Sequence, residues 1–284
     1  MTKSIHTLVK DINEVIETGG GWDATLSKYA AELMEGVFNT RLGGDREEFS
    51  PTLRLSALGT PCKRKLWYSV NQPDEVEALP TAARFKFLYG DILEQLLIVL
   101  AVAAGHRVEG TQDVLEVGGV KGHRDCVIDG ITVDIKSASS YGYKKFASGG
   151  LREDDPFGYI SQLSSYVYGG RDSHVESHPS LGAFLVVDKQ NGFICLDMYD
   201  FGPELDGKLE EVESLKTMVA GPIPPRGFEE EPEGKSGNMK LPMACSYCSN
   251  KYSCWDKIRE YRYARGPVYL TKVVKEPNVP EVQR

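Results

Sequence analysis

The sequence predicts an α/β fold, because segments with helical periodicity and segments with strand-like composition follow one another along the 284-residue chain. Apolar residues recur at helical spacing in segments 5–16 and 26–38, and segment 85–104 is a long, mostly apolar helix. Strand-like segments then cover 107–117, 120–128 and 131–138. After a predicted helix at 157–168, segments 181–188 and 193–199 form a hairpin that turns at Gln190-Asn191-Gly192.

The remaining segments predict short helices and loops. Segment 55–70 is expected to be helical around Cys62, and segment 204–219 is a further helix. Segment 73–80 is an acidic loop, and the polar segment 139–155, which contains glycine, is expected to be a mobile loop. Segment 221–237 is rich in Pro, Gly and Glu, which is typical of a linker.

The bulk composition is that of a soluble globular protein. Hydrophobic residues make up 41% of the chain, and no apolar run reaches the roughly 18 residues that a membrane span requires. The first ten residues lack the pattern of a secretory signal, so we expect a cytoplasmic protein with no membrane partner. The net charge of −8 argues against binding of nucleic acid by bulk charge alone, although a local basic patch can still hold phosphates.

Asp129-Gly130 is a strong two-residue hairpin signal. If Ile128 and Ile131 flank the turn, Asp125 faces Asp134 across the ladder, and His123 faces Lys136. Side chains alternate across a strand, so one face of this hairpin is wholly apolar. That face carries Cys126, Ile128, Ile131, Val133 and Ile135. The other carries His123, Asp125, Val127, Thr132, Asp134 and Lys136.

Two carboxylates facing each other across a ladder repel and need a compensating charge. A hard divalent cation such as Mg²⁺ suits Asp125 and Asp134, since it prefers carboxylate oxygens. Lys136 points to the same side and could orient a water or stabilise charge on a phosphate. The alternative is a solvent-facing hairpin with scattered charges.

Three more side chains are candidates for the same site. Glu94 interrupts an apolar helical stretch, and a buried carboxylate needs a partner, which would be either a metal ion or a buried salt bridge. Gln162 and Tyr166 share one helix face, where they would contact a phosphate or position the site. Core packing of Tyr166 is the alternative.

The cysteines follow a pattern. Cys245, Cys248 and Cys254 form a C-x2-C-x5-C cluster, and Cys62 is the best fourth ligand because it lies in a distinct local motif. Cys126 and Cys195 lie in strand patterns and are predicted to be core residues. Four thiolates bind either zinc or an iron–sulfur cluster, and the spacing does not decide between them. Closing a loop of about 180 residues points to a structural role.

Taken together and in this order, the motifs resemble the RecB-like branch of the PD-(D/E)XK nucleases, and in particular its iron–sulfur members, the AddB nuclease domain and the CRISPR-associated exonucleases. The similar region runs from about residue 55 to residue 255. Its motifs are Cys62-Lys63-Arg64-Lys65, Gly90 to Glu94, Gly122 to Asp125, Asp134-Ile135-Lys136, Gln162 to Tyr166, and the three clustered cysteines. Glu94 stands where these relatives usually carry histidine, which would favour Mg²⁺.

The resemblance implies a restriction-endonuclease-like fold, a mixed central sheet flanked by helices, with a 4Fe–4S cluster (zinc is the alternative) as a staple. It implies Mg²⁺- or Mn²⁺-dependent DNA exonuclease activity in recombination, repair, or viral or CRISPR DNA processing. Metal ligands would be Glu94, Asp125, Asp134 and the carbonyl of Ile135, assisted by Lys136, Gln162 and Tyr166. The setting would be a prokaryotic cell or a virus infecting one, with DNA and recombination or replication proteins as partners.

The expected segments are an N-terminal helical extension (1–50), the nuclease domain (51–260) and a tail (261–284). Basic residues near the motifs are candidates for DNA contacts. They are Lys63, Arg64, Arg84, Lys144, Lys145 and Arg152, with Phe146 for stacking. A non-catalytic DNA-binding or assembly module on the same fold, or an endonuclease, is the competing interpretation.

Overall fold

The computed structural model describes residues 3–43, 51–73, 80–264 and 266–283. Most of the predicted acidic loop at 73–80 therefore lies outside the described residues. The chain forms two compact units. The sheet unit comprises Met1–Gly59 and Pro80–Lys216, and the cysteine unit comprises Thr60–Leu79 and Thr217–Arg284. The predicted segments 1–50, 51–260 and 261–284 stay a prediction.

The helices and strands follow the predicted alternation. The helices are α1 (Leu8–Thr18), α2 (Ala24–Leu42), α3 (Lys63–Asn71), α4 (Thr81–Ala103), α5 (Ser140–Ala147), α6 (Tyr159–Gly170), α7 (Gly202–Leu205), α8 (Lys208–Ala220), α9 (Met243–Ser246) and α10 (Lys251–Cys254). The strands are β1 (Val108–Glu109), β2 (Val114–Val117), β3 (Val120–His123), β4 (Cys126–Ile128), β5 (Ile131–Ala138), β6 (Leu181–Asp188), β7 (Ile194–Asp200), β8 (Glu231–Glu233), β9 (Asn238–Lys240), β10 (Arg259–Tyr263) and β11 (Gly266–Lys272).

The centre of the sheet unit is a mixed five-stranded sheet in the order β1-β4-β5-β6-β7. Neighbouring strands are antiparallel except β5 and β6, which are parallel and are joined through α5 and α6. A parallel pair needs a crossover of this kind, because a tight turn can only reverse the chain. The prediction of an α/β fold with a mixed central sheet flanked by helices is confirmed at this level.

Helices cover both faces of the sheet. The apolar side chains of α1 and α4 pack against one face, where Cys126, Ile128, Ile131, Val133 and Ile135 are buried as predicted. On the other face α5 and α6 pack against β6 and β7 through Phe146, Leu163, Phe184 and Tyr199. Residues of β6 are buried on both faces, which identifies β6 as an interior strand of the sheet. The polar side of the hairpin is therefore covered by α6 rather than facing solvent.

The predicted hairpin register is confirmed over β4 and β5. Ile128 pairs with Ile131, and Cys126 pairs with Val133. Asp129 and Gly130 both have positive φ, 51° and 84°, as a two-residue primed turn requires. The prediction for His123 is wrong, however. His123 belongs to a separate hairpin, β2–β3, in which it pairs with Val114.

Two predicted loops are wrong. Segment 139–155 contains α5, whose first turn is capped by the Ser139 hydroxyl accepting a hydrogen bond from Gly142 N. Its Phe146 is 4% exposed and packs in the core, so it cannot stack on DNA as predicted. The predicted linker 221–237 contains β8, which pairs with β9. Trp67 Nε1 also donates a hydrogen bond to the carbonyl of Gly221.

The cysteine unit contains a four-stranded antiparallel sheet in the order β10-β11-β9-β8. Its small core contains Leu241, Cys245, Trp255 and Tyr269. No helix among the described residues is long and apolar enough to cross a membrane.

Candidate active site and cysteine cluster

The site lies at the start of β4. The β4–β5 ladder extends only to Cys126 and Val133, so Asp125 lies just beyond it. Beyond the end of the ladder, the Asp125 side chain bonds to the backbone of β5: its Oδ2 accepts a hydrogen bond of 2.7 Å from Ile135 N. The predicted cross-ladder pairing of Asp125 with Asp134 is thus replaced by a side-chain-to-backbone contact one residue further along. Both backbone groups of a strand residue point to the same side, which directs the Ile135 carbonyl toward Asp125 as well.

Asp134 and Lys136 lie two residues apart on β5 and form an ion pair. Lys136 Nζ is 2.6 Å from Asp134 Oδ2, and the Asp134 side chain is fully buried while that of Lys136 is 20% exposed. Lys136 is therefore the member of the pair that reaches the surface of the site. The same-side prediction for these two residues is confirmed.

Glu94 joins the cluster from α4. Its Oε1 accepts hydrogen bonds of 3.0 Å from the amides of Gln95 and Gln112. Among the described residues Glu94 forms no ion pair, so the predicted alternative of a buried salt bridge is not formed there.

The carboxylates of this cluster destabilise one another's charged forms. Burial, followed by the charges of Asp91 and Asp134, raises the pKa of Glu94 to about 7. Burial and the charges of Asp134 and Glu94 raise the pKa of Asp125 well above its usual range. Burial also raises the pKa of Asp134, although Lys136 opposes this shift. Asp134 is fully buried and Glu94 and Asp125 are half-buried, so in the absence of a cation the three acids favour their protonated forms.

Lys136 responds in the opposite sense. Burial by itself disfavours its charge, but the carboxylates of Asp134 and Asp125 outweigh that effect and raise its pKa above the usual range. The ammonium therefore stays protonated at neutral pH. It acts as a fixed positive charge rather than as a proton acceptor.

Gln162 connects the acidic cluster to α6. Its Nε2 donates to Asp134 Oδ1 at 3.2 Å and lies 3.1 Å from the hydroxyl of Tyr166. Tyr166 is 3% exposed, so both predictions for it hold in part: it packs in the interior, and it also contacts the site through Gln162. Gly122 is needed for this packing, because a Cβ there would lie 3.1 Å from the Tyr166 ring and 2.7 Å from Leu55.

Two features of the site were missed at the sequence level. The ring of Tyr159 lies against Lys136, whose Nζ is 4.9 Å from the ring centre. Tyr159 precedes Gln162 by one helical turn, and that spacing could have indicated a shared face. Arg41 of α2 forms a bidentate pair with Asp91, one turn before Glu94, and no local pattern signals a pair so distant in sequence.

The structure places the predicted DNA-contact residues in different environments. Lys63, Arg84 and Lys144 are exposed. Lys145 pairs with Asp154. Arg152 pairs with Glu204 and lies over the rings of Tyr199 and Phe201. Arg64 is half-buried and lies 3.3 Å from the carbonyl of Pro224.

The four clustered cysteines all belong to the cysteine unit. Cys62 caps α3, Cys245 lies in α9, Cys248 follows in the next turn, and Cys254 ends α10. All four are free thiols. Burial, together with the neighbouring Cys248, Cys254 and Cys62, raises the pKa of Cys245 to about 11. The remaining cysteines behave as predicted: Cys126 is fully buried, and Cys195 packs against the core under α5.

The cysteine unit also contains buried hydrogen-bond donors. Arg64 Nε, Asn250 Nδ2 and Trp255 Nε1 have no hydrogen-bond partner among the described residues. Trp255 lies close enough to Cys245 to favour its ionised form without forming a hydrogen bond in this structure, and Arg64 and Arg226 favour the ionised form of Cys254. A buried donor without an acceptor is destabilising, and thiolate or sulfide sulfur would supply the acceptors. The donor set therefore fits a thiolate-bound metal centre.

In the described ranges, no three His, Cys, Asp or Glu side chains are already grouped so that they could hold a metal ion. The chain matches no protein-family model and no curated protein. It is similar to a solved structure described as "Crystal structure of SSO0001", with 16% identity and a TM-score of 0.39. That similarity covers 78% of this chain and 93% of the other. A similarity this weak does not show a common fold.

Proposed function

We propose that this chain is a metal-dependent deoxyribonuclease with a restriction-endonuclease-like nuclease fold, acting as an exonuclease. The observation that carries the proposal is the buried Asp134–Lys136 ion pair, beside which Asp125 bonds to Ile135 N and Glu94 interacts electrostatically with both Asp134 and Lys136. Without a cation, Glu94, Asp125 and Asp134 all favour their protonated forms, and a divalent cation would replace those protons and stabilise the ionised carboxylates. A purely structural ion-pair network would be expected to balance its charges.

Glu94, Asp125, Asp134 and the carbonyl of Ile135 would hold Mg²⁺ or Mn²⁺. The acidic oxygen donors suit hard cations of this kind. When bound, the metal polarises the scissile phosphate and lowers the pKa of the attacking water. Glu94 in place of histidine would favour Mg²⁺.

Lys136 would stabilise the negative charge that develops on the phosphate. Its ammonium stays protonated because Asp134 lies at 2.6 Å, and its side chain is partly exposed, so it can reach a bound phosphate. Gln162 fixes the orientation of Asp134 by donating to Oδ1, which leaves Oδ2 directed at Lys136. Donors aligned in advance on developing charge are among the largest contributions to catalysis.

For the cysteine cluster we propose a 4Fe–4S centre held by Cys62, Cys245, Cys248 and Cys254, with zinc as the alternative. The unpaired donors of Arg64, Asn250 and Trp255 support a sulfur-rich centre. Such a centre would tie Cys62 to residues far along the chain and stabilise the cysteine unit. Visible absorption at about 400 nm in anaerobically purified protein would identify iron–sulfur, whereas a colourless protein containing zinc would identify the alternative.

The test of the nuclease proposal uses the purified chain and end-labelled linear DNA with Mg²⁺, Mn²⁺ or EDTA. We expect metal-dependent release of nucleotides, and a loss of at least about 100-fold in Asp134→Asn. Asp172→Asn is the matched control, because this aspartate side chain is 91% exposed. No cleavage by stoichiometric wild-type protein would refute the proposal in favour of a non-catalytic DNA-binding or assembly module. Cleavage of a circular plasmid would indicate an endonuclease instead.

A further inference from the structure

Two aromatic side chains lie where α6 begins. Phe157 is 68% exposed, and Tyr159 is half-buried. One face of the Phe157 ring stacks on Tyr159, with ring centres 5.4 Å apart and an interplanar angle of 28°. The rest of the Phe157 ring is open to solvent. We call these two residues the aromatic pair.

The aromatic pair is continuous with the candidate active site. The Tyr159 ring contacts Lys136, with Nζ 4.9 Å from the ring centre. Tyr159 is also held against the core by Phe146 and Phe184, at ring-centre distances of 6.1 and 6.3 Å. Phe157 is therefore one ring further out from the lysine that would contact the phosphate.

The backbone fixes the aromatic pair in place. Gly158, between the two rings, has φ of 75°, and a Cβ there would lie 2.0 Å from the carbonyl oxygen of Gly59. The Asp155 carboxylate accepts a hydrogen bond of 2.8 Å from Ile160 N, which closes the turn before the helix. An aromatic surface that is already ordered loses little conformational entropy when a flat ligand binds to it.

We propose that Phe157 is a positioning residue on which the nucleobase next to the scissile phosphate stacks. This inference rests on the proposed nuclease function and adds the group that would align the strand. Stacking on an aromatic ring is tolerant of sequence, because every base has a π-face. A base inside a duplex is already stacked on both faces, so the base on Phe157 would be one at a strand end or in a single strand. The aromatic pair would thus align a strand end with Lys136 and the acidic cluster.

The experiment compares single-stranded oligonucleotides that are normal or fully abasic, in wild-type protein, Phe157→Ala and Phe157→Trp. Stacking is worth about 1–3 kcal/mol per base, so KM for normal DNA should rise about 5- to 160-fold in Phe157→Ala. We expect kcat to change less than about twofold, and Phe157→Trp to restore KM. Wild-type protein should discriminate against abasic DNA, whereas Phe157→Ala should treat both substrates alike.

The control is Phe193→Ala in the turn between β6 and β7. Phe193 is 65% exposed, so it matches Phe157 in type and exposure, and its replacement should leave KM unchanged. The proposed stacking on Phe157 is refuted if Phe157→Ala keeps the wild-type KM, or if Phe193→Ala raises KM as much. If wild-type protein cleaves no DNA, the nuclease proposal fails. In that case, Kd values for normal and abasic oligonucleotides, measured by fluorescence anisotropy in wild-type protein and Phe157→Ala, test stacking on Phe157 separately.

Discussion

Replacing Glu94 by glutamine should change how the stability of the metal-free protein depends on pH. The pKa of Glu94 is about 7, against an ordinary value of 4.5. A shift of one pH unit in a pKa corresponds to about 1.4 kcal/mol, so ionising Glu94 in the folded protein costs about 3 kcal/mol. Because the folded state holds this proton more tightly than the unfolded state, the contribution is fully present near pH 4.5 and is lost as pH rises through 7.

The assay is urea unfolding in EDTA at several pH values between 5 and 8. We expect the unfolding free energy of the wild-type protein to fall over this window by about 3 kcal/mol more than that of Glu94→Gln. Glutamine has nearly the same shape and carries no charge, so the variant should be the more stable protein at pH 8. Glu14→Gln, an exposed position on α1, is the control and should follow the wild-type curve.

Magnesium should reverse this difference if Glu94 is a ligand. A cation that binds only the folded protein stabilises it by about 2.7 kcal/mol when present at about 100 times its Kd. The gain should be larger at pH 8 than at pH 5 in the wild-type protein, because ionised carboxylates bind the metal, and smaller in Glu94→Gln. Parallel pH curves for the two proteins in EDTA would refute the electrostatic reasoning. Equal magnesium stabilisation of both would refute Glu94 as a ligand.

Three further changes have defined outcomes. Lys136→Ala should lower kcat by about 100- to 1,000-fold while magnesium still stabilises the protein. Lys28→Ala, on an exposed face of α2, is the control and should leave kcat unchanged. A fully active Lys136→Ala would exclude the proposed role of Lys136. Cys62→Ser should abolish the visible absorption of the cluster and destabilise the cysteine unit, as measured by absorbance and limited proteolysis; retained colour would remove Cys62 from the ligand set. Gly158→Ala should destabilise the protein by about 2–4 kcal/mol more than Gly149→Ala in thermal unfolding. Both glycines have positive φ, but only at Gly158 would a Cβ collide with another backbone segment, at Gly59. Equal losses of stability would mean that the close approach to Gly59 is relieved without strain.

The sequence by itself determined the local features that depend on a fixed period. The Asp129-Gly130 turn and the alternation of apolar residues set the register of β4 and β5, because a slip of one residue would exchange the two faces. The same alternation placed Asp134 and Lys136 on one side of β5. Helical spacing likewise located α1, α2, α4 and α6, and it put Gln162 and Tyr166 on one face.

Other features were decided only by tertiary structure. The periodicity of the strand continues past Cys126, yet the ladder stops there, so the Asp125 carboxylate bonds to the backbone of β5 instead of facing Asp134. His123 lies in β3, which pairs with β2 and not with β5. Segment 139–155 is polar enough for a loop, but burial of Phe146 between β6 and α6 stabilises a helix there.

The contacts between distant segments explain the difference. Gln162 bonds to Asp134 and Tyr159 covers Lys136, each pair joined across the long crossover between β5 and β6. A pattern in sequence reports which face of an element is buried, and so it finds the polar residues that must share a face. It carries no information on which other element covers that face. Packing of α6 on the sheet supplies that element, and with it the surroundings of the acidic cluster.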